Sequence, residues 1–540
     1  MTTHTATPPA PADTSINTLA PTLAAADASS DFIIEETHIS WVVLTKHYAF
    51  KIKKPVKFAF LDFSTLDKRK YYCEHELRLN RRFAPALYLS VVPIHGSSTH
   101  PTLDSRAGAA FEYAVKMLRF DAEQRCDRMI TQHRFTDAMA GALAEHLGQV
   151  HKRLPACSID SLWGTPEAIQ QAMSANFTLL DSLETEPAHT TLAELKNWST
   201  QEFARLAPLF SERKQNGFVR ECHGDLHLGN IAWHQDKPLL FDCIEFNEAF
   251  RWIDVMSDVA FAVMDFADHD HADFASRFLN RYLQTTGDYG GISLLPYYLV
   301  YRALVRAKVS LLRVRQESMQ KPAHAARDQD ATNPHFLECN KYIQLASHYA
   351  RKQAPHLIIL HGLPGSGKSV LADSLCVPLN AIIIRSDIER KRLAGLPALA
   401  HSGCATNQGL YTSSATQRVY AHLLSLASCI LGAGFTVIID ASFLKKHQRD
   451  LFHNLARQKQ IPFTVLSAQA PQSVLKSRIE YRLDTESDAS EASQEVLDAQ
   501  YAQQEPLHET EIEYTLFICT DKTVNVDYIV SKLARTPLGA

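Results

Sequence analysis

The sequence predicts an α+β half followed by an α/β half, and at 540 residues the chain is too long for a single hydrophobic core. In the first half, short apolar runs separated by polar turns precede a long stretch with helical periodicity. This order indicates antiparallel strands followed by helices. In the second half, short apolar strands alternate with helical patterns, which indicates a parallel sheet with helices on both of its faces.

The composition excludes several classes of protein. A net charge of -4 is close to neutral for this length, which argues against a strongly basic nucleic-acid binder. Because no apolar stretch approaches the length needed to cross a bilayer, we expect no membrane association. The ten cysteines are scattered and form no C-x-x-C pair. This pattern argues against a zinc site or a disulfide framework, and it favours the reducing cytoplasm as the location.

The beginning of the chain differs in composition from the rest. Residues 1–30 are rich in Thr, Ala, Pro and Ser and contain no Lys or Arg. A secretory signal needs a basic start and an apolar centre, so we predict a disordered leader instead. The predicted segments are, in chain order, the leader (1–30), a strand-rich part (31–120), a helical part (121–315), a polar linker with prolines (316–354) and an α/β domain (355–540).

The first motif is the run from His223 to Asn230, in which Asp225 and Asn230 lie five positions apart. This is the spacing of a kinase catalytic loop. Phosphoryl transfer needs an oriented hydroxyl and cations that hold the developing charge. Asp225 is the candidate proton acceptor. Asn230 and Asp242, which follows a predicted strand, offer the oxygen ligands that magnesium prefers. His223 is expected to brace the loop.

On these residues, the chain from about 31 to 315 resembles the aminoglycoside-phosphotransferase-like kinases. That family is related to protein kinases and has a small strand-rich lobe over a helical lobe. The resemblance implies a bilobal, protein-kinase-like α+β fold. It also implies that Asp225 is the catalytic base, that Asn230 and Asp242 bind magnesium, and that Asp258 is a structural residue at the start of a helix.

The ATP-binding lysine is predicted from a strand pattern. The run 48–51 resembles the strand motif that ends in a phosphate-binding lysine, which selects Lys51. Lys53 points to the same face of the strand and is the competitor. Glu76 on the following helix is the predicted partner, and Glu74 is the alternative. The chain departs from typical family members because it lacks an obvious Gly-rich loop over the phosphates.

The second motif, residues 362–369, satisfies the Walker A pattern G-x-x-x-x-G-K-S. Its glycines let backbone N–H groups surround phosphates at the start of a helix. Lys368 is expected to meet the outer phosphates, and the Ser369 hydroxyl is expected to reach magnesium. The predicted nucleotide-binding residues of this loop are Gly362, Gly365, Ser366, Gly367, Lys368 and Ser369.

Residues beyond the second motif are candidates for the remaining chemistry. Asp387 follows the second strand of the α/β domain, where a carboxylate can face an acceptor hydroxyl, and Arg390 lies one helical turn further on. Asp440 ends a later strand, where an acidic residue beside magnesium is expected. Arg478 and Arg482 are four residues apart, so they share a helix face and can close over the phosphates.

This set resembles the AAA-type P-loop kinases, a group that includes polynucleotide kinases, gluconate-type kinases and zeta-toxin-like kinases. The resemblance covers about residues 355 to 535. It implies that Asp387 is the acceptor base and that Arg478 and Arg482 are lid arginines. The whole chain also resembles a bacterial two-domain family that fuses the two kinase types, and residues 72–82 are similar to an early helix of that family.

The sequence therefore predicts a bifunctional kinase that uses ATP and Mg²⁺ to phosphorylate hydroxyls of small molecules. It identifies neither acceptor and leaves the oligomeric state open.

The choice between two lysines and the missing Gly-rich loop favour an alternative, an ATP-sensing regulatory protein. A further alternative is a polynucleotide 5′-hydroxyl kinase in the C-terminal domain, for which the basic residues are Lys445, Lys446 and Arg449. An aminoglycoside acceptor requires an acidic pocket, and the candidates for it are Glu245, Glu248, Asp254 and Asp265.

Overall fold

The structure is a computed structural model that describes residues 16–58, 61–183, 188–319, 332–398, 400, 409–485 and 490–535. The chain forms two compact units. The first unit comprises Met1–Phe135, Arg153–Gln171 and Ala207–Ala262. The second unit comprises Thr136–Lys152, Ala172–Leu206 and Val263–Ala540.

The strands fall into an antiparallel group followed by a parallel group. The strands of the first unit are β1 (Ile33–Glu36), β2 (Ser40–Leu44), β3 (Tyr48–Lys53), β4 (Lys57–Phe58), β5 (Leu61–Asp62), β6 (Tyr88–Gly96), β7 (Pro101–Thr102), β8 (Ala110–Leu118), β9 (Val219–Glu221), β10 (Ile231–His234), β11 (Lys237–Leu240) and β12 (Trp252–Asp254). The strands of the second unit are β13 (Leu357–His361), β14 (Ala381–Arg385), β15 (Thr436–Asp440), β16 (Phe463–Gln469) and β17 (Thr515–Cys519).

Helices make up most of the remaining described chain. In chain order they are α1 (Ile16–Ala25), α2 (Leu66–Asn80), α3 (Cys126–Thr131), α4 (Asp137–Arg153), α5 (Pro166–Leu180), α6 (Ala188–Gln215), α7 (Glu248–Arg251), α8 (Val255–Asp268), α9 (Ala272–Thr286), α10 (Leu295–Met319), α11 (Pro334–Ala350), α12 (Lys368–Cys376), α13 (Ser386–Leu393), α14 (Ser413–Gly432), α15 (Lys446–Lys459), α16 (Gln472–Thr485), α17 (Gln494–Gln503), α18 (Glu509–Ile512) and α19 (Val526–Leu533). None of these described helices combines the length and the apolar composition that crossing a membrane requires.

The first unit is built on an antiparallel sheet with the strand order β1-β2-β3-β8-β6-β7. Strand β3 is central, paired with β2 on one side and β8 on the other. Because side chains alternate along a strand, Lys51 and Lys53 of β3 lie on the same face. Helix α2 begins after Thr65, whose side chain accepts a hydrogen bond from the Lys68 N–H, and it carries Glu76 as a buried residue. The sheet and this helix therefore bring the predicted lysines and their partner into one region.

The predicted disordered leader is wrong for residues 16–25, which form α1. Leu19 and Leu23 are four residues apart on this helix, and they pack against Val43 and Phe50 of the sheet. The burial of this apolar stripe stabilises a helix that the Ala-, Thr- and Pro-rich composition does not suggest. Residues 1–15 of the predicted leader lie outside the described residues.

The predicted linker is also partly helical. Helix α10 continues to Met319, and Pro334–Ala350 form α11, which begins after the capping residue Asn333. Helix α11 buries Phe336 and Tyr342. The linker prediction is therefore wrong for residues 334–350, because their spaced apolar side chains form a buried helix face. Residues 320–331 lie outside the described part of the chain.

The second unit contains a five-stranded sheet with the order β14-β15-β13-β16-β17, and all of its pairings are parallel. Its core contains Ile358, Leu360, Leu371, Ile438 and Leu466. An antiparallel sheet with helices followed by an all-parallel α/β sheet confirms the fold classes that the sequence predicts. The carboxyl ends of β13, β14 and β15 meet at one edge, where ligands bind in such folds.

Candidate active sites

The loop from His223 to Asn230 is held by Asp258. The two carboxylate oxygens of Asp258 accept hydrogen bonds from the His223 N–H at 2.8 Å and from the Gly224 N–H at 2.9 Å. Gly224 has a φ of 85°, and a Cβ at this position would lie 2.5 Å from the Phe250 carbonyl oxygen. Only glycine fits this turn without strain. The structural role that the resemblance implies for Asp258 therefore corresponds to a direct contact with the loop.

His223 is a neutral brace within the same loop. Its Nε2 lies 2.9 Å from the Phe241 carbonyl oxygen, and its Nδ1 lies 3.3 Å from the Asp225 N–H. Because the carbonyl only accepts and the N–H only donates, these partners select the tautomer with the proton on Nε2. Burial lowers the pKa of His223. The imidazole therefore orients the backbone of Asp225.

Asn230 lies directly against Asp225. The Asn230 amide donates from Nδ2 to the Asp225 carbonyl oxygen at 2.9 Å and to Asp225 Oδ2 at 3.0 Å. Because both bonds use Nδ2, the Oδ1 oxygen of the Asn230 amide is left to coordinate a metal ion. The Asp225 side chain is 38% exposed. A carboxylate that is held on one side and accessible on the other suits a proton acceptor for a bound hydroxyl.

Asp242 follows the hairpin formed by β10 and β11. The Phe241 N–H donates to the Asn230 carbonyl oxygen at 3.0 Å, so Asn230 and Asp242 leave the hairpin at the same end. Asp242 adopts a φ of 62°, and its N–H donates to the Tyr88 hydroxyl at 3.0 Å. Its side chain is 44% exposed. An amide oxygen and an accessible carboxylate at one hairpin end fit a magnesium ion.

The two candidate lysines share one carboxylate. Lys51 Nζ lies 2.9 Å from Glu76 Oε1 and also contacts Asp242. Lys53 Nζ lies 2.7 Å from Glu76 Oε2 and also contacts Glu245. The Lys51 side chain is 11% exposed, whereas that of Lys53 is fully buried. The structure thus brings the predicted pair Lys51 and Glu76 together, and it adds Lys53 as a second partner.

The charges of Lys51, Lys53 and Glu76 stabilise one another. Burial opposes the charged form of Lys51, but Asp242 and Glu76 outweigh it and raise the pKa of Lys51 well above its ordinary value. Burial likewise opposes ionisation of Glu76, but Lys51 and Lys53 outweigh it and lower the pKa of Glu76. Burial raises the pKa of Glu245, with Lys53 opposing. Glu245, an acidic-pocket candidate of the sequence, is buried against Lys53.

Sequence reasoning did not identify Asn80 as part of the site. Its Nδ2 donates to the Glu76 carbonyl oxygen at 3.0 Å, and its Oδ1 accepts the Cys243 N–H at 2.9 Å. Asn80 thereby joins α2 to the segment that follows Asp242. The available signal was the four-residue spacing from Glu76, which places Asn80 on the same helix face. By contrast, the alternative Glu74 is exposed.

The Walker A loop of the second unit connects β13 to α12, which begins at Lys368. Gly365 has a φ of 77°, and a Cβ there would lie 2.6 Å from the Leu475 carbonyl oxygen. Lys368 Nζ donates to the carbonyl oxygens of Gly362 and Leu363, at 2.9 Å each. Burial lowers the pKa of Lys368. The loop therefore curls around its lysine at the start of a helix, the geometry that binds phosphates.

Ser369 and Asp440 form the part of this site that suits a metal ion. The Ser369 hydroxyl donates to Asp440 Oδ2 at 2.7 Å, and Arg385 Nε lies 3.4 Å from the same oxygen. Burial raises the pKa of Asp440, with Arg385 opposing. A hydroxyl and a carboxylate in contact beside the Walker A lysine provide oxygen ligands for magnesium.

The remaining predicted residues surround the same edge of the sheet. Asp387 lies in the first turn of α13. Arg390 lies over the Tyr411 ring, 5.1 Å from its centroid, and donates to the Leu410 carbonyl oxygen at 2.8 Å. Arg478 donates to the carbonyl oxygen of Gly365 at 3.2 Å, so it lies against the Walker A loop. Arg482 donates to the Ala492 carbonyl oxygen at 3.1 Å. The two arginines predicted to act together therefore have separate partners in this structure.

Comparison with protein families assigns both halves of the chain. Residues 60–295 match the model of the phosphotransferase enzyme family, and residues 357–507 match the model of an AAA domain. Each of the two regions is therefore similar to one of these two families. This assignment confirms the two-domain fusion that the sequence predicts, and it indicates a phosphotransferase. Below, the two matched regions are called the phosphotransferase domain and the AAA domain.

Similar proteins span most of the chain. Uncharacterized proteins of Mycobacterium tuberculosis and Mycobacterium bovis are 29% identical over 458 residues, which cover 85% of this chain and 87% of theirs. Among solved structures, a choline/ethanolamine kinase family protein from Mesorhizobium loti covers 59% of this chain and 92% of its own at 10% identity, with a TM-score of 0.35. A gluconokinase from Sinorhizobium meliloti 1021 covers 34% and 94% at 20% identity, with a TM-score of 0.25.

Proposed function

We propose that the protein is a bifunctional ATP-dependent phosphotransferase in which each domain transfers the γ-phosphoryl group of ATP to a hydroxyl of a small molecule. The contact of Asn230 with Asp225 carries this proposal. It places the amide that is the candidate magnesium ligand next to the candidate base, beside the hairpin that Asp242 follows. A separate set, Ser369 and Asp440, supports the same chemistry in the AAA domain. Scattered cysteines favour a cytoplasmic location.

The first site supports a complete transfer step. The acceptor oxygen forms a bond to the γ-phosphorus, the bond from that phosphorus to the β,γ-bridging oxygen breaks, and ADP leaves with the electron pair. Asp225 takes the proton of the acceptor hydroxyl. Lys51 meets the phosphate oxygens, and Glu76 orients it. Asn230 and Asp242 would hold a magnesium ion, which neutralises charge on the phosphates.

The AAA domain supports the same reaction with a different set of residues. The Walker A backbone and Lys368 bind the β- and γ-phosphates, and Arg478 lies beside the loop at Gly365. Ser369 and Asp440 would hold the magnesium ion of this site. We assign Asp387 as the group that accepts the proton of the second acceptor, since it follows the neighbouring strand at the same sheet edge.

The charges of the AAA domain favour a small-molecule acceptor over a polynucleotide. Lys446 pairs with Asp450 at 2.7 Å, and Arg449 is buried and pairs with Glu511 at 2.7 Å. These pairs neutralise two of the three basic residues that a phosphate-binding groove would use.

The ion pair of Lys51 with Glu76 also weakens the regulatory alternative, since a phosphate-binding lysine with its acidic partner is in place.

A screen of hydroxyl metabolites with the full chain tests the proposal, with acceptor-dependent ADP release as the readout. Asp225→Asn should abolish turnover of one group of acceptors, Lys368→Ala should abolish turnover of another, and the double variant should lose both. Removing a general base or a phosphate-binding lysine is expected to lower the rate by about 10²–10⁴-fold. Asp236→Asn, at an exposed hairpin turn with a φ of 58°, is the matched control.

Three results would contradict the proposal. Turnover that survives in the double variant would place the chemistry elsewhere in the chain. Nucleotide binding without ADP release for any acceptor would favour the ATP-sensing alternative. ADP release that depends on 5′-hydroxyl oligonucleotides and is lost in Lys368→Ala would instead assign a polynucleotide substrate to the AAA domain.

A further inference from the structure

The edge strand of the AAA-domain sheet is covered by an asparagine of helix α9. Strand β14 is at the end of the strand order and pairs with β15 on one side. On its other side, Asn280 Oδ1 accepts the Ile383 N–H at 2.7 Å, and Asn280 Nδ2 donates to the Ala381 carbonyl oxygen at 3.0 Å. These are the bonds that a neighbouring strand would make. The side chain amide thus substitutes for one peptide group of a sixth strand.

This contact is buried and does not depend on a flexible side chain. Asn280 is 5% exposed, and its Nδ2 also donates to the Ser276 carbonyl oxygen at 3.0 Å within α9. Ala381 and Ile383 are buried in the core of the AAA domain. Because a buried peptide group without a hydrogen-bond partner destabilises the fold, the amide is a substantial determinant of the position of β14.

A second contact joins the end of α9 to α13. Arg392 donates to the Gln284 carbonyl oxygen and packs on Gly287, where a Cβ would lie 2.8 Å from its Nη1. The same guanidinium donates from Nε to Glu389 Oε2 at 3.1 Å, and His422 Nε2 lies 3.1 Å from that oxygen. Glu389 is fully buried. The position of α13 therefore also depends on the region around the end of α9.

The two contacts lie on either side of Asp387. Strand β14 ends at Arg385, α13 begins at Ser386, and Asp387 follows. The Walker A loop extends from β13, which is two strands away from the edge. The contacts from α9 therefore act on β14 and α13, which carry Asp387 and also Arg385 beside Asp440, and not directly on the Walker A loop. Helix α9 lies within residues 60–295, which match the phosphotransferase family.

We propose that Asn280 is a positioning residue for the AAA-domain site, so that a helix of the phosphotransferase domain sets the place of Asp387. The inference rests on the proposed function in one respect, the role of Asp387 toward an acceptor. A misplacement of about 1 Å can lower a rate by about 10²-fold, so the loss of one edge contact is sufficient to affect transfer. Nucleotide binding without magnesium should depend much less on this contact, because the Walker A loop carries it and Asp440 takes no part in it.

The test uses the full chain with Asp225→Asn and Lys51→Met present, which remove the proposed base and the proposed phosphate-binding lysine of the first site. Asn280→Leu removes the edge contact. The matched control is Asn176→Leu on α5, which removes an equally buried amide whose side chain atoms have no hydrogen-bond partner among the described residues. The readouts are the Kd of a fluorescent ATP analogue measured in EDTA, Lys368-dependent ATP turnover with magnesium, and hydrogen exchange of the Ile383 amide.

Asn280→Leu should lower turnover by about tenfold or more, change the Kd by less than about twofold, and accelerate exchange at Ile383. Asn176→Leu should change none of these. If Asn280→Leu does not fold, Arg392→Gln should likewise lower turnover while it leaves the Kd of the ATP analogue nearly unchanged. Unchanged exchange at Ile383, or a Kd that weakens in parallel with turnover, would overturn the proposal. If the unmutated AAA domain shows no Lys368-dependent turnover, the proposed function fails, while the exchange result still decides whether Asn280 anchors β14.

Discussion

Lys51 lies 2.9 Å from Glu76, measured from Nζ to Oε1, and this ion pair joins the centre of the antiparallel sheet to α2. The second carboxylate oxygen of Glu76 is occupied by Lys53 at 2.7 Å. Lys51 also reaches the partly exposed Asp242, whereas Lys53 reaches the buried Glu245. The two lysines are two residues apart on one strand, yet their surroundings predict different roles.

Lys51→Met is expected to raise the KM for ATP of the first site by about tenfold or more while the free energy of unfolding changes little. Lys53→Met should instead destabilise the fold by about 3–5 kcal/mol, because it leaves the buried Glu245 carboxylate without its ammonium partner. Kinetics with an acceptor of the first site and urea unfolding check both variants. The assignment of Lys51 would be wrong if Lys53→Met impaired ATP binding without lowering stability.

Asp258→Asn should lower kcat of the first site by about ten- to a hundredfold with little change in the KM for ATP. The carboxylate accepts two backbone N–H groups from His223 and Gly224, and an asparagine side chain has only one oxygen to accept them. Asp236→Asn at the exposed turn is the control. Equal losses in ATP binding and in turnover would show that Asp258 supports the whole domain and not this loop.

Ser369→Ala should weaken ATP-analogue binding in the presence of magnesium by about tenfold and leave binding in EDTA nearly unchanged. The reason is that the Ser369 hydroxyl contacts Asp440 at the predicted metal position. Ser374→Ala, on the same helix, removes a hydroxyl that donates to the Leu371 carbonyl oxygen and should have no such effect. Isothermal titration in the Lys51→Met background, which weakens ATP binding at the first site, measures both. A loss of affinity that is equal with and without magnesium would contradict the assignment.

Acid should destabilise the AAA domain through His356. Burial lowers the pKa of His356 from 6.5 to about 4, and its Nε2 lies 2.9 Å from the Thr464 hydroxyl. Because the unfolded chain binds this proton near pH 6.5 and the folded chain does not, the stabilisation is present above pH 6.5 and is lost as pH falls toward 4. The expected loss at pH 5 is about 2 kcal/mol for this histidine.

Urea unfolding at pH 7 and pH 5 measures this effect. The pKa of His361 is also lowered by burial to about 4, so His356→Gln should remove about half of the combined pH dependence of the two histidines. The same substitution at the exposed His100 is the control. An unchanged difference between the two pH values in His356→Gln would refute the prediction.

Much of the fold and of both sites could be predicted because their signals are local. The Walker A loop needs a strand before it and a helix after it, and all three are read from one stretch of sequence. Asp225 and Asn230 lie on one loop, so their spacing already predicts their contact. Helices α1 and α11 were missed because their composition resembles a leader or a linker, and only the surfaces that they cover make them stable.

Local residue patterns are sufficient to predict the two phosphate-binding motifs, the change from an antiparallel to a parallel sheet, and the candidate base and metal ligands. They do not predict that Glu76 pairs with two lysines, that Glu245 is buried, or that Asn280 completes the edge of β14. The physical reason is that motif geometry depends on neighbours along the chain. Shared ion pairs and strand-edge contacts depend on which distant segments burial brings together, and residue spacing does not encode this.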